Sequence, residues 1–240
     1  MIFNYLNTTI ETINSKLFIV ATPIGNLSDF SERAVRTLKD VDLIACEDTR
    51  TSSTLLRHYG IEKPVLAFHQ HNEHARVAKL MDMLKAGRNV AIISDAGMPG
   101  ISDPGFLAVR AAHQQGITVI TIPGPSAGIS AIVGSGLPCD RFVFEGFLPQ
   151  KKGRQTRLQL LAVEERTIII FESPHRILRL LDEIITHFGP NRLVAVAREL
   201  TKKFEEIIRA PAAEVKAILE ERSSIKGEIV VIIAGAGYEE

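Results

Sequence analysis

The hydrophobic pattern of this chain alternates short apolar runs with stretches of helical periodicity. The runs are apolar at successive positions and rich in β-branched residues, which is typical of strands buried on both faces of a parallel sheet. In the first half of the chain, helical stretches separate the predicted strands KLFIVA, VDLIAC, PVLAFH, NVAII, ITVITI and RFVFEGF. This rhythm predicts an α/β fold in which helices cover a mainly parallel sheet.

The rhythm changes after residue 147. The segment LPQKKGRQTR contains proline, glycine and several basic residues, which is typical of a surface connection. Further on, LVAVAREL and FEEIIRA are joined by only a few polar residues and therefore predict an antiparallel pair within a mixed sheet. We predict an N-terminal extension over residues 1–15, an N-terminal α/β domain over 16–147, a linker over 148–157 and a C-terminal α/β domain over 158–240.

Composition narrows the class of protein. The 240 residues include 28 Lys and Arg and 28 Asp and Glu, so the overall charge does not point to nucleic acid, although a local basic patch still could bind phosphates. There is no secretory signal pattern and no apolar run near the ~18 residues of a membrane span. Two widely separated cysteines fit neither a disulfide framework nor a thiolate metal site. We expect a cytoplasmic enzyme without a membrane partner.

Three loops rich in glycine and proline follow predicted strands. They are TPIGNLSD (22–29), SDAGMPGISDPG (94–105) and PGPSAG (123–128). In open α/β sheets, ligands bind beyond the carboxyl ends of the strands, and loops with few side chains let a ligand approach the backbone. Neither a P-loop ending in Gly-Lys-Ser/Thr nor a GxGxxG fingerprint is present. The loops therefore predict a ligand held by main-chain groups rather than a pyrophosphate at a helix N-terminus.

Nine segments in order resemble the motifs of one family: LFIVATPIGNLSD, VDLIACEDTRTS, FHQHNE, ISDAGMPGISDPG, IPGPSA, GFLPQKKGR, FESPHR, ARELTKKFEE and KGEIVVII. They are similar to the ribosomal small-subunit RNA methyltransferase I family, of the tetrapyrrole-methylase fold class (class III methyltransferases), from about residue 16 to 233. The resemblance implies methyl transfer from S-adenosylmethionine to the ribose 2′-oxygen of a cytidine in 16S rRNA. It also implies a homodimer of two-domain subunits with the cofactor in the interdomain cleft.

Carried over by position, the resemblance also implies a set of cofactor-binding residues. These are Pro23, Gly25, Asp95, Ala96, Gly97, Met98, Pro99, Ile101, Ser126, Ala127, Glu172 and Leu200. The family usually has Thr where this chain has Met98, so the contact there is expected to be made by the main chain. Members also often continue for several dozen residues as a small helical module, whereas this sequence stops after GAGYEE.

Charged residues follow several strands and are candidates for the chemistry. A ribose hydroxyl is a weak nucleophile at neutral pH, so a base must accept its proton or a cation must stabilise the oxygen. The catalytic candidates are Glu47, Asp48, Arg50, Glu199 and Lys202. The RNA-binding candidates are Lys151, Lys152, Arg154, Arg176 and Arg198. The alternative for each residue is a solvated loop charge in a surface ion pair.

Two other functions are carried as alternatives. HQHNEH places His69, His71 and His74 in an array that superficially resembles the metal site of metallo-β-lactamase-like hydrolases. The usual Asp is replaced by Glu73, however, and no downstream ligand set is evident, so no metal is expected. The second alternative is an RNA-binding module without catalytic activity, which a test of cofactor binding would distinguish.

Overall fold

The computed structural model describes residues 14–70 and 72–240, which divide into two α/β units. The first contains the described residues up to Ala21 together with Ser31–Pro123, and the second contains Thr22–Phe30 and Gly124–Glu240. All but the last two residues of the predicted N-terminal extension lie outside the described residues. None of the helices in the described ranges combines the length and apolar character needed to cross a lipid bilayer.

The first unit is built on a five-stranded sheet in which every pairing is parallel. Its elements in chain order are β1 (Lys16–Val20), α1 (Glu32–Asp40), β2 (Leu43–Cys46), α2 (Thr49–His58), β3 (Val65–Ala67), α3 (Glu73–Lys85), β4 (Val90–Ile93), α4 (Phe106–Gln114) and β5 (Thr118–Ile122). The strand order is β3-β2-β4-β1-β5. The predicted parallel sheet is confirmed.

Burial explains the apolar runs of this sheet. All four residues of β2 and all four of β4 are buried, because these central strands have neighbours on both sides and helices on both faces. Strands β4, β1 and β5 are neighbours and run in the same direction, so the three glycine-rich segments leave the sheet at one edge. This edge is where an open α/β sheet places its ligands.

The second unit contains a mixed sheet. After a short 3-10 turn at Leu27–Asp29, its elements are α5 (Ala127–Ser135), β6 (Phe142–Phe147), α6 (Arg154–Ala162), β7 (Thr167–Glu172), α7 (Ile177–Phe188), β8 (Leu193–Arg198), β9 (Glu206–Pro211), α8 (Ala212–Glu220) and β10 (Ile229–Ile233). The order is β6-β7-β10-β8-β9, with β6 and β7 parallel and the other pairs antiparallel. The predicted mixed sheet and the hairpin of β8 with β9 are confirmed.

The two faces of this sheet have different cores. Because side chains alternate along a strand, Ile168 and Ile170 of β7 pack with α6, α7 and α8, whereas Ile169 packs with α5. Strand β10 divides its five buried residues in the same way. The apolar run of each central strand therefore serves two separate cores.

Two predicted boundaries differ from the structure. Both α5 and β6 were assigned to the N-terminal domain, but they lie in the second unit, and β6 pairs with β7. The sequence of a strand does not specify its pairing partner, so the break in the rhythm after residue 147 was misleading. Helix α6 also begins at Arg154, inside the predicted linker of residues 148–157.

Candidate functional site

Three strand ends of the first unit surround an acidic pocket of about 460 Å³. Glu47, Asp48 and Thr49 follow β2, His69 follows β3, and Asp95 follows β4. The backbone N–H of Asp48 donates to Asp95 Oδ1 at 3.1 Å, which ties the two loops together. The sequence placed these residues at strand ends, and the parallel sheet brings them into one pocket.

The carboxyl groups in this region are poorly compensated by positive charge. Burial raises the pKa of Glu47, and the charge of Asp95 raises it further. Partial desolvation of its carboxyl group raises the pKa of Asp95 as well, although the residue as a whole is exposed. For Asp103, burial together with the charges of Glu47 and Asp95 raises the pKa to about 7. Such a cluster favours either bound protons or a cationic ligand.

Asp48 and Arg50 form a local pair at the start of α2. The Asp48 carboxylate accepts from the Arg50 backbone N–H at 2.8 Å and from Arg50 Nη2 at 2.6 Å. The hydrogen bonds from Arg50 lower the pKa of Asp48 to about 2, so this carboxylate is ionised and caps the helix. The Arg50 side chain is 89% exposed, which leaves it accessible to a phosphate.

The loop after β4 has a backbone conformation that requires glycine. Gly97, Gly100 and Gly105 have φ values of 80°, 85° and 143°. A Cβ at Gly105 would lie 3.1 Å from the Gly100 nitrogen, so two backbone segments touch where the side chain is absent. The nearly buried Glu73 accepts from the Gly105 N–H at 3.0 Å and braces the loop.

The cofactor candidates in this loop differ in their exposure to solvent. Asp95, Ala96 and Ile101 are exposed, Gly97 and Pro99 are buried, and Met98 packs against the core. Ser94 Oγ donates to the carbonyl oxygens of Ala96 and Gly97, at 3.3 and 3.2 Å.

The second unit holds an ion pair between Lys202 and Glu199. Lys202 Nζ donates to Glu199 Oε1 at 2.9 Å and to Glu228 Oε2 at 3.0 Å. The hydrogen bond from Lys202 lowers the pKa of Glu199, while the two carboxylates raise the pKa of Lys202 against the opposing effect of burial. Both groups are therefore charged at neutral pH.

Two glycines make room for this pair. A Cβ at Gly25 would lie 2.4 Å from Lys202 Cγ, and a Cβ at Gly227 would lie 2.4 Å from Glu199 Cδ. Glu199 and Thr201 have φ values of 52° and 67°, a conformation that costs free energy for residues other than glycine and often occurs at functional sites. Within the described part of the chain, Thr201 Oγ1 is buried without a hydrogen-bond partner, which adds to the free-energy cost of this segment.

The remaining cofactor candidates of the second unit lie near its α5 face or at strand ends. Pro23 precedes the buried Ile24, Ser126 is the residue before α5 and Ala127 is its first residue. Leu200 packs in the same core as Ile24. The Glu172 side chain, by contrast, is buried in ion pairs.

The RNA-binding candidates divide into accessible and structural residues. Lys151 and Lys152 are exposed. Arg154 is only 2% exposed and pairs with Glu183, with Nε–Oε2 and Nη2–Oε2 distances of 2.8 and 2.6 Å, so its prediction as an RNA contact is corrected to a structural role. The sequence analysis placed Arg154 in a basic linker. The neighbouring residues give no indication that Glu183, 29 residues later on α7, is its partner.

Arg176 and Arg198 also have carboxylate partners. Arg176 Nε donates to Glu172 Oε1 at 2.7 Å, and its side chain is partly exposed. Arg198 pairs with Glu206 and donates to the carbonyl oxygens of Phe204 and Lys226, at 3.2 and 3.1 Å. This arrangement directs the Arg198 guanidinium to the β8–β9 hairpin.

The histidine array lies only partly within the described residues. His71 lies outside the described residues, and the His69 ring lies 3.0 Å from Asn72 Nδ2. Among residues 14–70 and 72–240, no group of three or more His, Cys, Asp or Glu side chains is arranged to hold a metal ion.

Sequence reasoning missed several residues that shape these sites. Asp103, Gly227 and Glu228 were not predicted as site residues, and Glu73 was considered only as part of the histidine array. The signal for Glu228 was an acid directly before a buried strand in KGEIVVII, but its partner Lys202 is 26 residues away in sequence. Asp103 lies in a loop that was already assigned to main-chain contacts.

Comparison with known proteins identifies a matching family and similar folds. Residues 16–216 match the family model described as Tetrapyrrole (Corrin/Porphyrin) Methylases. The fold is similar to that of diphthine synthase (TM-score 0.70, 14% identity, 91% of this chain and 89% of that one). It is also similar to uroporphyrin-III-C-methyltransferase from Thermus thermophilus (TM-score 0.63, 17% identity, 91% and 94%).

Curated relatives are considerably more similar in sequence. The protein named Ribosomal RNA small subunit methyltransferase I is 51% identical in Synechocystis, over 93% of this chain and 80% of the relative. Its namesake in Thermotoga maritima is 47% identical, over 92% and 98%. Another, from Escherichia coli O157:H7, is 47% identical over 96% and 81%. The chain therefore belongs to the tetrapyrrole methylase family and, within it, to the ribosomal RNA small subunit methyltransferase I group.

Proposed function

We propose that this protein transfers a methyl group from S-adenosylmethionine to the ribose 2′-oxygen of a cytidine in 16S rRNA of the small ribosomal subunit. The observation that carries the proposal is the identity of about half of all residues with relatives named for small-subunit rRNA methylation, across more than nine-tenths of the chain. The two sites described above supply groups suited to this chemistry.

The chemistry of the first unit fits the cofactor. S-adenosylmethionine carries an ammonium and a sulfonium cation, and it supplies an electrophilic methyl group. The cluster of Glu47, Asp95 and Asp103 has little compensating positive charge, only minor effects of His69 and Arg50, so bound cations would lower its electrostatic free energy. The glycine-rich loop offers backbone groups beside it. We assign cofactor binding to Pro23, Gly25, Asp95, Ala96, Gly97, Met98, Pro99, Ile101, Ser126, Ala127, Leu200 and the main chain at Glu172.

We assign proton transfer and charge stabilisation in this reaction to side chains of the protein. Glu47, whose pKa is raised by burial, is suited to accept the proton of the ribose hydroxyl, because a general base works best when its pKa approaches the operating pH. The fixed ammonium of Lys202, held by Glu199, is suited to stabilise negative charge on the ribose oxygen. Asp48 and Arg50 complete the candidate set, with Arg50 placed to bind a phosphate.

Two of the RNA-binding candidates are revised, Arg154 because it is buried and Arg198 because its guanidinium is engaged by Glu206 and two carbonyl oxygens. Lys151, Lys152 and the partly exposed Arg176 remain as proposed contacts with the rRNA backbone. Arg154 and Arg198 act instead by holding the segments around them. We further propose that the protein is a cytoplasmic homodimer, an assembly to which the exposed Ile129 and Val133 of α5 could contribute apolar contacts.

Calorimetric titration of S-adenosylmethionine into the purified protein tests the cofactor assignment. Saturable binding is expected for the wild type, with no binding of ATP. Asp95→Asn keeps an oxygen that can accept from the Asp48 N–H but removes the charge, so affinity is expected to fall about tenfold. Asp140→Asn, at an exposed aspartate, is the control. Equal affinity of all three proteins would contradict the role of Asp95.

A further inference from the structure

A bulge in β6 places two phenylalanines on the same face of the sheet. Residues three apart in a regular strand point to opposite faces. The register of β6 against β7 shifts between Phe144 and Gly146, so Phe144 pairs with Ile169 and Phe147 pairs with Phe171. Ile169 and Phe171 are two apart on β7 and share a face. Gly146, with φ of 66°, permits the shift.

The bulge creates a cluster of three aromatic rings at the carboxyl end of β6. The Phe171 ring forms T-shaped contacts with both others, with centroid distances of 5.2 Å to Phe144 and 5.6 Å to Phe147. These edge-to-face contacts hold the rings in position. Phe147 nevertheless remains 56% exposed. A large ring that is fixed by its neighbours and open to solvent is a preorganised surface for stacking.

The segment after Phe147 adds positive charge and is itself anchored. Lys151 and Lys152 are exposed, and neither forms an ion pair with a residue of the described ranges. Arg154 Nη1 donates to the Pro149 carbonyl oxygen at 3.2 Å while its other nitrogens bind the nearly buried Glu183. The buried arginine therefore fixes the turn that carries the two lysines close in sequence to the aromatic ring.

We propose that Phe147, supported by Phe144 and Phe171, stacks on an unpaired base of the RNA substrate while Lys151 and Lys152 contact neighbouring phosphates. Proteins that bind single-stranded nucleic acid combine aromatic rings with adjacent cations in this way. A second copy of the chain is less suited than RNA to cover the surface of Phe147, Lys151 and Lys152, because lysine is depleted from the cores of protein interfaces. The inference rests on the proposed RNA substrate and names the group that recognises a base.

Steady-state methylation of small ribosomal subunits tests the stacking role. Phe147→Ala is expected to raise the KM for the subunit about tenfold, the loss typical of one base stack, while the affinity for S-adenosylmethionine is unchanged. Phe147→Tyr keeps a ring and is expected to behave like the wild type. Phe106→Ala, which removes an equally exposed ring beside Arg110 in the first unit, is the matched control.

A fluorescence experiment locates the contact. The sequence contains no tryptophan, so Phe147→Trp introduces a single reporter. Addition of 16S rRNA is expected to quench its emission, whereas a reporter introduced by Phe106→Trp is expected to respond much less.

The results of these two experiments distinguish a failure of the stacking role of Phe147 from a failure of the proposed methyltransferase function. An unchanged KM for Phe147→Ala, with an active wild type, would overturn the stacking role and leave the methyltransferase function intact. Quenching by S-adenosylmethionine alone would assign the ring to the cofactor, and loss of a dimer on substitution would assign it to an interface. Either result overturns the inference. An inactive wild type would contradict the proposed function itself.

Discussion

Lys202 Nζ lies 2.9 Å from Glu199 Oε1, in a space that exists because two glycines lack side chains. Gly25 leaves room for the lysine stem, and Gly227 leaves room for the glutamate carboxyl. Gly25, the segment from Glu199 to Lys202, and Gly227 are far apart in sequence, yet they define one rigid charged group. The conformational cost of the positive φ values at Glu199 and Thr201 is consistent with a functional constraint on this segment.

Gly25→Ala is expected to displace Lys202. The new Cβ would overlap Lys202 Cγ and Cε, at 2.4 and 2.8 Å, so the ammonium cannot keep its present position. The rate of rRNA methylation is expected to fall at least about tenfold, as for other groups that act on the transition state. The control is Gly237→Ala, at another glycine of positive φ (77°, against 156° at Gly25) but with no neighbouring atom within 4 Å. Equal rates for the two variants would exclude this role for Lys202.

Arg154→Met is expected to destabilise the second unit by about 3 kcal/mol, because Glu183 and Glu172 would lose their buried cation and keep only the more exposed Arg179 and Arg176 as partners. Urea denaturation measures the change. The double variant Arg154→Met with Glu183→Met is expected to recover part of the loss, since one of the two poorly compensated carboxylates is then removed. Arg166→Met removes an arginine from a solvent-exposed pair with Glu164 and is expected to change stability far less than Arg154→Met does. A loss for Arg154→Met no larger than that for Arg166→Met would contradict the structural role.

The fate of Arg154 illustrates what the sequence could and could not predict. The alternation of apolar runs identified both sheets and the β8–β9 hairpin, because periodicity reflects local burial. A basic run such as KKGR has no periodicity that distinguishes a solvated side chain from a buried one. The partner Glu183 lies on another helix, 29 residues away, and only the fold brings it near. The assignment of β6 to the wrong unit has the same cause, since strand pairing is a tertiary choice.

Asp103→Asn is expected to change the pH dependence of stability. The folded protein holds the Asp103 proton more tightly than the unfolded chain does, because the pKa is raised from 3.8 to about 7. Stability contributed by this group is therefore present below pH 3.8 and declines as the pH rises towards 7. The variant removes this penalty, so its gain over the wild type is expected to be about 1–2 kcal/mol at pH 8 and absent at low pH. Thermal unfolding at pH 8 and about pH 4 measures the difference.

The control for Asp103 is Asp140→Asn, at an exposed position beside Arg141. Its effect on the unfolding temperature is expected to be small and the same at both pH values. A difference for Asp103→Asn that does not depend on pH would indicate that its carboxyl group lacks the raised pKa.

Neutralising Lys151 and Lys152 together is expected to flatten the salt dependence of rRNA binding. Each lost phosphate contact reduces the slope of log affinity against log salt by about 0.7–0.9. The control is the pair Lys39→Gln and Lys85→Gln, which removes two exposed lysines from helices of the first unit. A slope unchanged relative to the wild type would show that the KKGR turn does not contact phosphates.

The candidate site was predictable to the extent that strand ends were predictable. Glu47, Asp48 and Asp95 were each assigned from their position after a strand, and the parallel topology brings them together. Glu73 was not recognised as the acceptor that braces the loop after β4, because its hydrogen bonds to Gly105 and Leu107 cross more than 30 residues. Local sequence patterns identified the acidic residues of the site. The hydrogen bonds that hold its loops in place depend on the tertiary structure.

Mapping of ribose methylation in small ribosomal subunits tests the central claim most directly. Subunits that lack the modification would be incubated with the protein and S-adenosylmethionine, and their 16S rRNA would be digested and analysed by mass spectrometry. We expect one methyl group on the ribose of a cytidine, with a strongly reduced yield for Lys202→Ala. A methyl group on a base, on another RNA or on no RNA at all would contradict the account.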